Sequence, residues 1–387
     1  MRILYIVGAP RIRLDEGSNT PGPRTHVLGT LAAMKELGHS VDVYLASDQR
    51  SARRLRDTEE QDLQKSPVAL AAGDLARLVI GLLARRTLKR SFGGDYDLIY
   101  ERFASYQSLG KAIRRRRSGS KWLVESNGLF YKEASGSRKS IGIPWLARAQ
   151  ETRAYRSADL VIAVSEAIKK QIVAEARVSE RKVLVVPNGF DFSYLASIQP
   201  KRVFPEGDIV VAFLGQVVGW QGLDHLVKVM ASLDDRFKLL VVGDGPALEG
   251  LKARVELLQM GGRVHFSGRV PHSEALNLLA GSDIGFAGHK PTVDGATYHS
   301  PLKVYEYLAL GLPVVATRSN ASNDEYQPKT LHHFTSGHDE ELLRALLAAA
   351  EDDNNPETRR ERTAEAAGRL SWTGRVRGML GRLEEGA

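Results

Sequence analysis

Between Ser300 and Ala316 the chain runs SPLKVYEYLALGLPVVA, and few folds can accommodate that string. Ser300 is a natural helix cap and Pro301 suits a first turn, where no amide hydrogen is needed. Leu302, Tyr305, Leu308 and Ala309 recur at helical spacing. Gly311 ends the helix, Pro313 forbids its continuation, and Val314-Val315-Ala316 begins a buried strand at once. A helix tied to a buried strand by so short a turn belongs to a layered α/β sheet. The first amides of such a helix are unpaired and collectively positive, so an anion is stabilised there. Lys303 and Glu306, three residues apart, add a cation and a carboxylate to one face. The set suits a ligand carrying phosphates and sugar hydroxyls.

The same alternation fills the rest of the chain. Arg2–Val7 and Val41–Ala46 read as strands around a helix from about Thr25 to Leu37, a βαβ unit with a parallel sheet and a right-handed crossover. Helices are expected near Val68–Arg90 and over Ser105–Arg116, and strands over Asp97–Glu101, Trp122–Glu125, Leu160–Val164 and Val183–Val186. Pro200, Pro205 and Gly207 then break the period. Beyond them, strands Ile209–Leu214, Phe237–Val242, Val264–Phe266 and Asp283–Phe286 alternate with three helices. Glu351–Arg369 reads as one polar helix, and Leu370-Ser371-Trp372 opens a last one. The fold class is therefore α/β with two doubly wound parallel sheets, in domains 1–200 and 201–368 followed by a terminal helix 369–387. At 387 residues each domain can bury a core unaided, and the absence of cysteine excludes disulfides, thiolate metal sites and a cysteine nucleophile.

SPLKVYEYLALGLPVVAT resembles the donor-binding helix of the retaining glycosyltransferases of family 4, group 1, built as two Rossmann-like domains facing across a cleft, the GT-B architecture. The likeness continues through AVSEAIKK, VVPNGFD and the GDGP turn to about Trp372. It implies a nucleoside-diphosphate sugar as donor, UDP or GDP, with no cofactor and no metal, and it assigns the nucleotide ribose to Glu306. Ser300, Pro301, Leu302 and Lys303 meet the donor diphosphate. Val270 of Gly268-Arg269-Val270-Pro271-His272 meets the base, and Gly243 of the Gly243-Asp244-Gly245-Pro246 turn packs near the nucleotide. From the N-terminal domain the family brings a Gly-rich loop, here Gly17 to His26, with Gly22 and Arg24 at the donor. It also brings a residue at the end of a strand that contacts the donor hexose, which here is Asn127, two after Glu125.

Three departures from the family pattern mark this chain. The usual Gly-Gly pair is replaced by Pro21-Gly22-Pro23. The loop Gly215 to Gly222, which normally carries an Arg and a Lys for the diphosphate, has Gln216 and Gln221 instead, so Lys303 is expected to substitute for the lost charge. Its Trp220-Gln221-Gly222 resembles a Trp-His/Gln-Gly branch of the family. The first of two motif carboxylates falls on Tyr298, leaving Asp294 as the nearest loop acid. With Asn127, Lys303 and Glu306 as the catalytic set and no carboxylate nucleophile in place, a same-face displacement assisted by the diphosphate is expected.

The net charge of +8 is clumped at Arg53, Arg54 and Arg56, at Arg85, Arg86, Lys89 and Arg90, and at Arg114 to Arg117. These clusters lack interleaved aromatic residues, which argues against nucleic acid. They read either as solvated helix faces or as a landing surface for an anionic membrane or acceptor. The opening MRILYIVGAP is too short for a secretory core, and Leu75–Leu83, interrupted by Arg77 and Gly81, falls short of the roughly 18 to 20 residues that span a bilayer. A cytoplasmic protein, peripheral at most on the inner membrane face, is expected. Polysaccharide, lipid-linked sugar and natural-product aglycone stay open as acceptors. The rival readings are a nucleotide-sugar epimerase on the same scaffold and a non-catalytic partner subunit.

Overall fold

The structure is a computed structural model, and it describes the chain except for residues 16–19, 50–65, 115–118, 136–139, 291–301, 319–325 and 386–387. The chain divides into two compact units, Met1–Pro187 with Arg375–Ala387, and Asn188–Gly374. The junction precedes the expected 200/201 boundary for a packing reason. Phe190 belongs to the core of the second unit, Phe192, Tyr194, Leu195 and Ile198 pack against that core, and Phe190 bridges Ser371. The proline-rich stretch beyond them is thus internal to the unit.

The first unit holds a six-stranded parallel sheet in the order β2-β1-β3-β4-β5-β6. Its strands are β1 (Arg2–Val7), β2 (Ser40–Leu45), β3 (Leu98–Arg102), β4 (Lys121–Ser126), β5 (Leu160–Ala163) and β6 (Val183–Val185). Between them lie α1 (Pro21–Glu36), α2 (Pro67–Ser91), α3 (Gly110–Ile113), α4 (Phe130–Ser135), α5 (Pro144–Ser157) and α6 (Glu166–Ala176). Three sequence expectations change here. Helix α1 begins at Pro21, because prolines in a first turn lose no hydrogen bond, so Gly22, Arg24 and His26 ride on a helix and not on a loop. The helix expected over Ser105–Arg116 shrinks to α3, since Tyr106 takes a positive φ of 64° and ends any continuous helical path. Helix α2 is one unbroken span capped by Ser66, long and apolar enough by length and composition to cross a membrane, because Arg77 and Gly81 do not interrupt it.

The second unit repeats the plan with order β12-β11-β10-β7-β8-β9. Its strands are β7 (Ile209–Leu214), β8 (Phe237–Val242), β9 (Val264–Gly268), β10 (Ile284–Ala287), β11 (Val314–Thr317) and β12 (Leu331–Phe334). Its helices are α7 (Leu223–Met230), α8 (Leu248–Leu257), α9 (His272–Ala280), α10 (Leu302–Ala309), α11 (Asp339–Glu351) and α12 (Pro356–Leu370). Along β7 the side chains alternate between two cores, Val210 and Ala212 on one face, Val211 and Phe213 on the other. Both faces are covered, as a parallel sheet requires. The polar helix expected over Glu351–Arg369 is broken by a new start, where the Asn355 side chain caps Glu357 and Thr358. Helix α13 (Trp372–Glu385) leaves this unit, and from Arg375 onward it counts with the first, where Lys121 Nζ donates to Leu383 O at 2.5 Å.

Helix α10 lies against the sheet because Gly285 leaves room for it: a Cβ there would sit 2.3 Å from the Tyr307 ring. The Tyr307 hydroxyl accepts from Leu214 N at 2.8 Å and donates to Phe286 O at 3.2 Å. One side chain of α10 thereby ties the ends of β7 and β10, and the helix's position relative to the strand ends is set.

Candidate functional site

In parallel α/β sheets ligands gather at the carboxyl ends of the strands. In the second unit four segments meet at that end. Gly215, at the end of β7, takes φ 132°, and Gly243, after β8, takes φ 138°. A Cβ on Gly243 would lie 2.0 Å from Gly215 O, so the two turns touch backbone to backbone, which only glycine permits. Gly222 is in contact with the turn after β10 in the same way, and Gly245 with Val217.

Into this ring of loops α10 sends Lys303 and Glu306, both buried. Lys303 Nζ donates to Gln221 Oε1 at 2.7 Å and stands 4.0 Å over the Phe213 ring. Burial pushes the Lys303 ammonium down to about 7 from its usual range, with the Glu306 charge pulling the other way. A cation held by an amide oxygen and an aromatic face, its direct partners among the described residues, is stabilised less than one paired with a carboxylate. Glu306 Oε1 lies 2.8 Å from His272 Nε2, at the start of α9, and the His272 ring meets Tyr194 edge-on at 5.4 Å. Trp220 stacks on His289 at 5.2 Å, and Lys290 N donates to Trp220 O at 2.7 Å, which fixes the far side of the loop.

The first unit has its own cluster at the ends of β3 and β4. Arg102 and Glu125 are register partners on these strands, and both side chains are buried. Arg102 Nη1 donates to Glu125 Oε1 and Tyr100 donates to Oε2, each at 2.5 Å. His26 Nε2 is 2.9 Å from Oε1, and the Asn127 amide donates to the same oxygen. Burial disfavours the Glu125 charge, but His26 and Arg102 outweigh it and hold the carboxyl well below the usual carboxylate range. On the opposite face of β3 another carboxylate behaves differently. Glu101 accepts from Leu109 N, Gly110 N and Trp122 Nε1, and burial lifts it to about 7.

Of the residues expected at the site, Gly215, Gln221, Gly243, Lys303 and Glu306 come together in the second unit. Gln216 is exposed in the same loop, and Val270 is half-buried, packed against the core beneath it. Leu302 opens α10, whereas Asp294, Tyr298, Ser300 and Pro301 lie outside the described residues. Gly22, Arg24 and Asn127 are in the first unit. Arg24 Nε donates to Leu14 O at 2.9 Å, and Asn127 is turned toward Glu125. Sequence reasoning named no role for His272, Tyr100 or Arg102. The signal for the last two was available: Tyr100 and Arg102 alternate onto one face of a strand, and Glu125 and Asn127 do the same beside it. For His272 nothing short of the fold would have paired it with Glu306, 34 residues away.

Residues 22–194 match the family described as Glycosyltransferase Family 4, and residues 196–369 match the family described as Glycosyl transferases group 1. Over 164 residues, 41% of the chain and 35% of the relative, the sequence is 30% identical to a phosphatidylinositol N-acetylglucosaminyltransferase subunit of Arabidopsis thaliana. The matched stretches cover 35%, 39% and 48% of three curated relatives, so the chain spans about a third to a half of their length. Among solved structures, Anabaena HepE in complex with UDP superposes with a TM-score of 0.64 at 17% identity, covering 100% of both chains. Sucrose-phosphate synthase from Thermosynechococcus elongatus superposes with a TM-score of 0.68 at 18% identity, over 100% of this chain and 98% of that one. At such identities the likeness speaks for the fold.

Proposed function

From the matches of residues 22–194 and 196–369 to the glycosyltransferase models of Family 4 and group 1, we propose that the chain moves a sugar from a nucleoside-diphosphate donor to an acceptor hydroxyl with retention of anomeric configuration. The observation that carries this reading is the seating of Lys303 on Gln221, within loops that pack backbone to backbone at the strand ends. The Gly215–Gly222 loop has no charge of its own, and α10 delivers one into it. A donor diphosphate there meets a desolvated ammonium, and Glu306, steadied by His272, accepts from the ribose hydroxyls. UDP, the nucleotide named with HepE, and GDP are the proposed carriers.

As the bond from the anomeric carbon to the diphosphate oxygen breaks, its electron pair stays on that oxygen. Lys303 and the first amides of α10 stabilise the growing charge, as a divalent cation does in other transferases. The acceptor oxygen attacks the same face and its proton passes to the departing phosphate oxygen, so no enzyme carboxylate is consumed. Asn127, neutral and hydrogen-bonded to Glu125, orients a sugar hydroxyl and carries no proton.

Calorimetry with UDP, GDP and dTDP, followed by a donor screen with product mass analysis and anomeric NMR, tests the reading. Binding of one nucleotide that weakens in Lys303→Ala and Glu306→Ala, with an α-linked product from an α-linked donor, is the expected result. Unchanged nucleotide binding in both variants overturns the site, and a trapped covalent glycosyl-enzyme overturns the route.

A further inference from the structure

A helix on the outside of a soluble fold turns its apolar side chains inward and its polar ones to water. Helix α2 does the reverse. Its outward face runs Val68, Ala72, Leu75, Ala76, Val79, Leu82 and Leu83, all exposed, with Val68 at 79% and Leu75 and Leu82 at 57%. Five of the ten exposed large apolar side chains among the described residues lie on this one helix, so the pattern is not the usual scatter of single surface hydrophobes.

The inward face buries only one large apolar side chain completely, Leu88 near its end, and is otherwise polar or small at its fully buried positions. Asp74 is fully buried and accepts from Gly142 N and Ile143 N at 2.8 Å each, while Arg77 Nη1 donates to Asp74 at 2.6 Å and to Ser140 O at 3.1 Å. Gly81, Ala84 and Leu88 complete that face: a Cβ on Gly81 would lie 3.1 Å from Tyr106 O. The helix is therefore docked through hydrogen bonds, close backbone approach and the buried Leu88. Its apolar stripe points away from those contacts and stays exposed, so the stripe needs another explanation.

The last turns of the same outward face say what the stripe fits. After Leu83 the exposed positions become Arg86, Lys89 and Arg90. Two residues past Ile143, whose amide is bonded to Asp74, Trp145 stands 72% exposed at the start of α5. An apolar stripe, a cationic end and an exposed tryptophan are the parts of a helix that lies in the interfacial plane of an anionic bilayer. The same face of a second copy offers these cations no exposed acid, because the one acid of α2, Asp74, is buried.

We propose that α2 docks this protein on an anionic membrane surface, with Leu75, Val79, Leu82 and Leu83 in the acyl boundary and Arg86, Lys89 and Arg90 on lipid phosphates. The helix lies on the bilayer and does not cross it, because crossing would strip Asp74 and Arg77 of the partners that hold α2 to the first unit. The inference stands apart from the donor reading, since vesicle binding and nucleotide binding are separate measurements.

The test is co-sedimentation of the full chain with vesicles of phosphatidylcholine alone or with added phosphatidylglycerol, beside sedimentation velocity without lipid. The expected result is binding that needs the anionic lipid, with a blue shift of tryptophan emission that is lost in Trp145→Phe. Val79→Asp with Leu82→Asp lowers binding by about tenfold or more. Arg86→Glu, Lys89→Glu and Arg90→Glu together lower it by about a hundredfold. Both faces are exposed, so the variants keep the wild-type circular dichroism and melting temperature. Absence of binding to anionic vesicles, binding indifferent to both sets of substitutions, or a lipid-free dimer that the aspartates dissociate would overturn the proposal.

Discussion

Glu125 in the first unit and Lys303 in the second are each a buried charge at the end of a parallel sheet, and they are treated in opposite ways. Glu125 is surrounded by Arg102, His26, Tyr100 and Asn127, and its charge is neutralised on the spot. Lys303 has only a neutral amide and an aromatic ring in direct contact among the described residues. A buried charge with opposite charge beside it is a structural element; one left with neutral partners is held below its normal ionisation and gains most from an arriving counterion. The contrast supports the proposal that the anion-binding group sits on α10, whereas the Glu125 cluster ties the ends of β3 and β4 together.

That contrast can be broken by substitution. Glu125→Gln leaves Arg102 buried without its partner, and the first unit loses about 3–5 kcal/mol in urea unfolding. Lys303→Met is expected to do the reverse, leaving stability undiminished or raised because a buried charge is removed, while UDP affinity falls by roughly tenfold to a hundredfold in calorimetry, the range of a lost charge-assisted hydrogen bond. If Lys303→Met instead unfolds the second unit, the distinction between the two charges is gone.

The pH dependence sharpens the same point. Lys303, pushed down to about 7, is half-neutral in the free protein near that pH, and a diphosphate bound at the proposed site would restore its proton. Nucleotide binding should take up a proton above pH 7, and affinity should fall about tenfold per pH unit there. Calorimetry in buffers of different ionisation enthalpy measures the uptake, which Lys303→Met abolishes. For stability the sign follows from proton counts. Between about pH 7 and 10 the unfolded lysine holds its proton and the folded one does not, so the Lys303 contribution rises with pH across that window. Below it the folded state carries the full cost of the buried ammonium. The smallest expected effect is that of Glu306→Gln, which keeps an acceptor and loses the charge. It should weaken nucleotide binding by about fivefold, or roughly 1 kcal/mol, and leave the proton uptake in place.

Much of this was legible in the residue order. Strands β7 and β8 appear at the expected bounds, because a buried parallel strand is a short, nearly continuous run of β-branched and aliphatic residues. Position, not charge, misled at α1. A Pro-Gly-Pro reads as loop until the first-turn tolerance for proline is counted, and that reading takes Arg24 off the helix that carries it. Similarly, Arg77 and Gly81 look like interruptions of an apolar run and prove to be its docking face, a distinction that depends on which side of α2 meets the protein.

The sequence by itself determined the α/β alternation, the absence of thiol chemistry and the short turn that joins α10 to β11, since these are written in composition, periodicity and local spacing, and its motifs carried the resemblance to the glycosyltransferases. Tertiary structure alone decided that Lys303 rests on Gln221, that His272 steadies Glu306, that Glu125 is already neutralised, and that α2 turns its apolar side outward. Each of those depends on contacts between residues far apart in the chain, and a local pattern carries no record of which distant side chain will fill the space beside it.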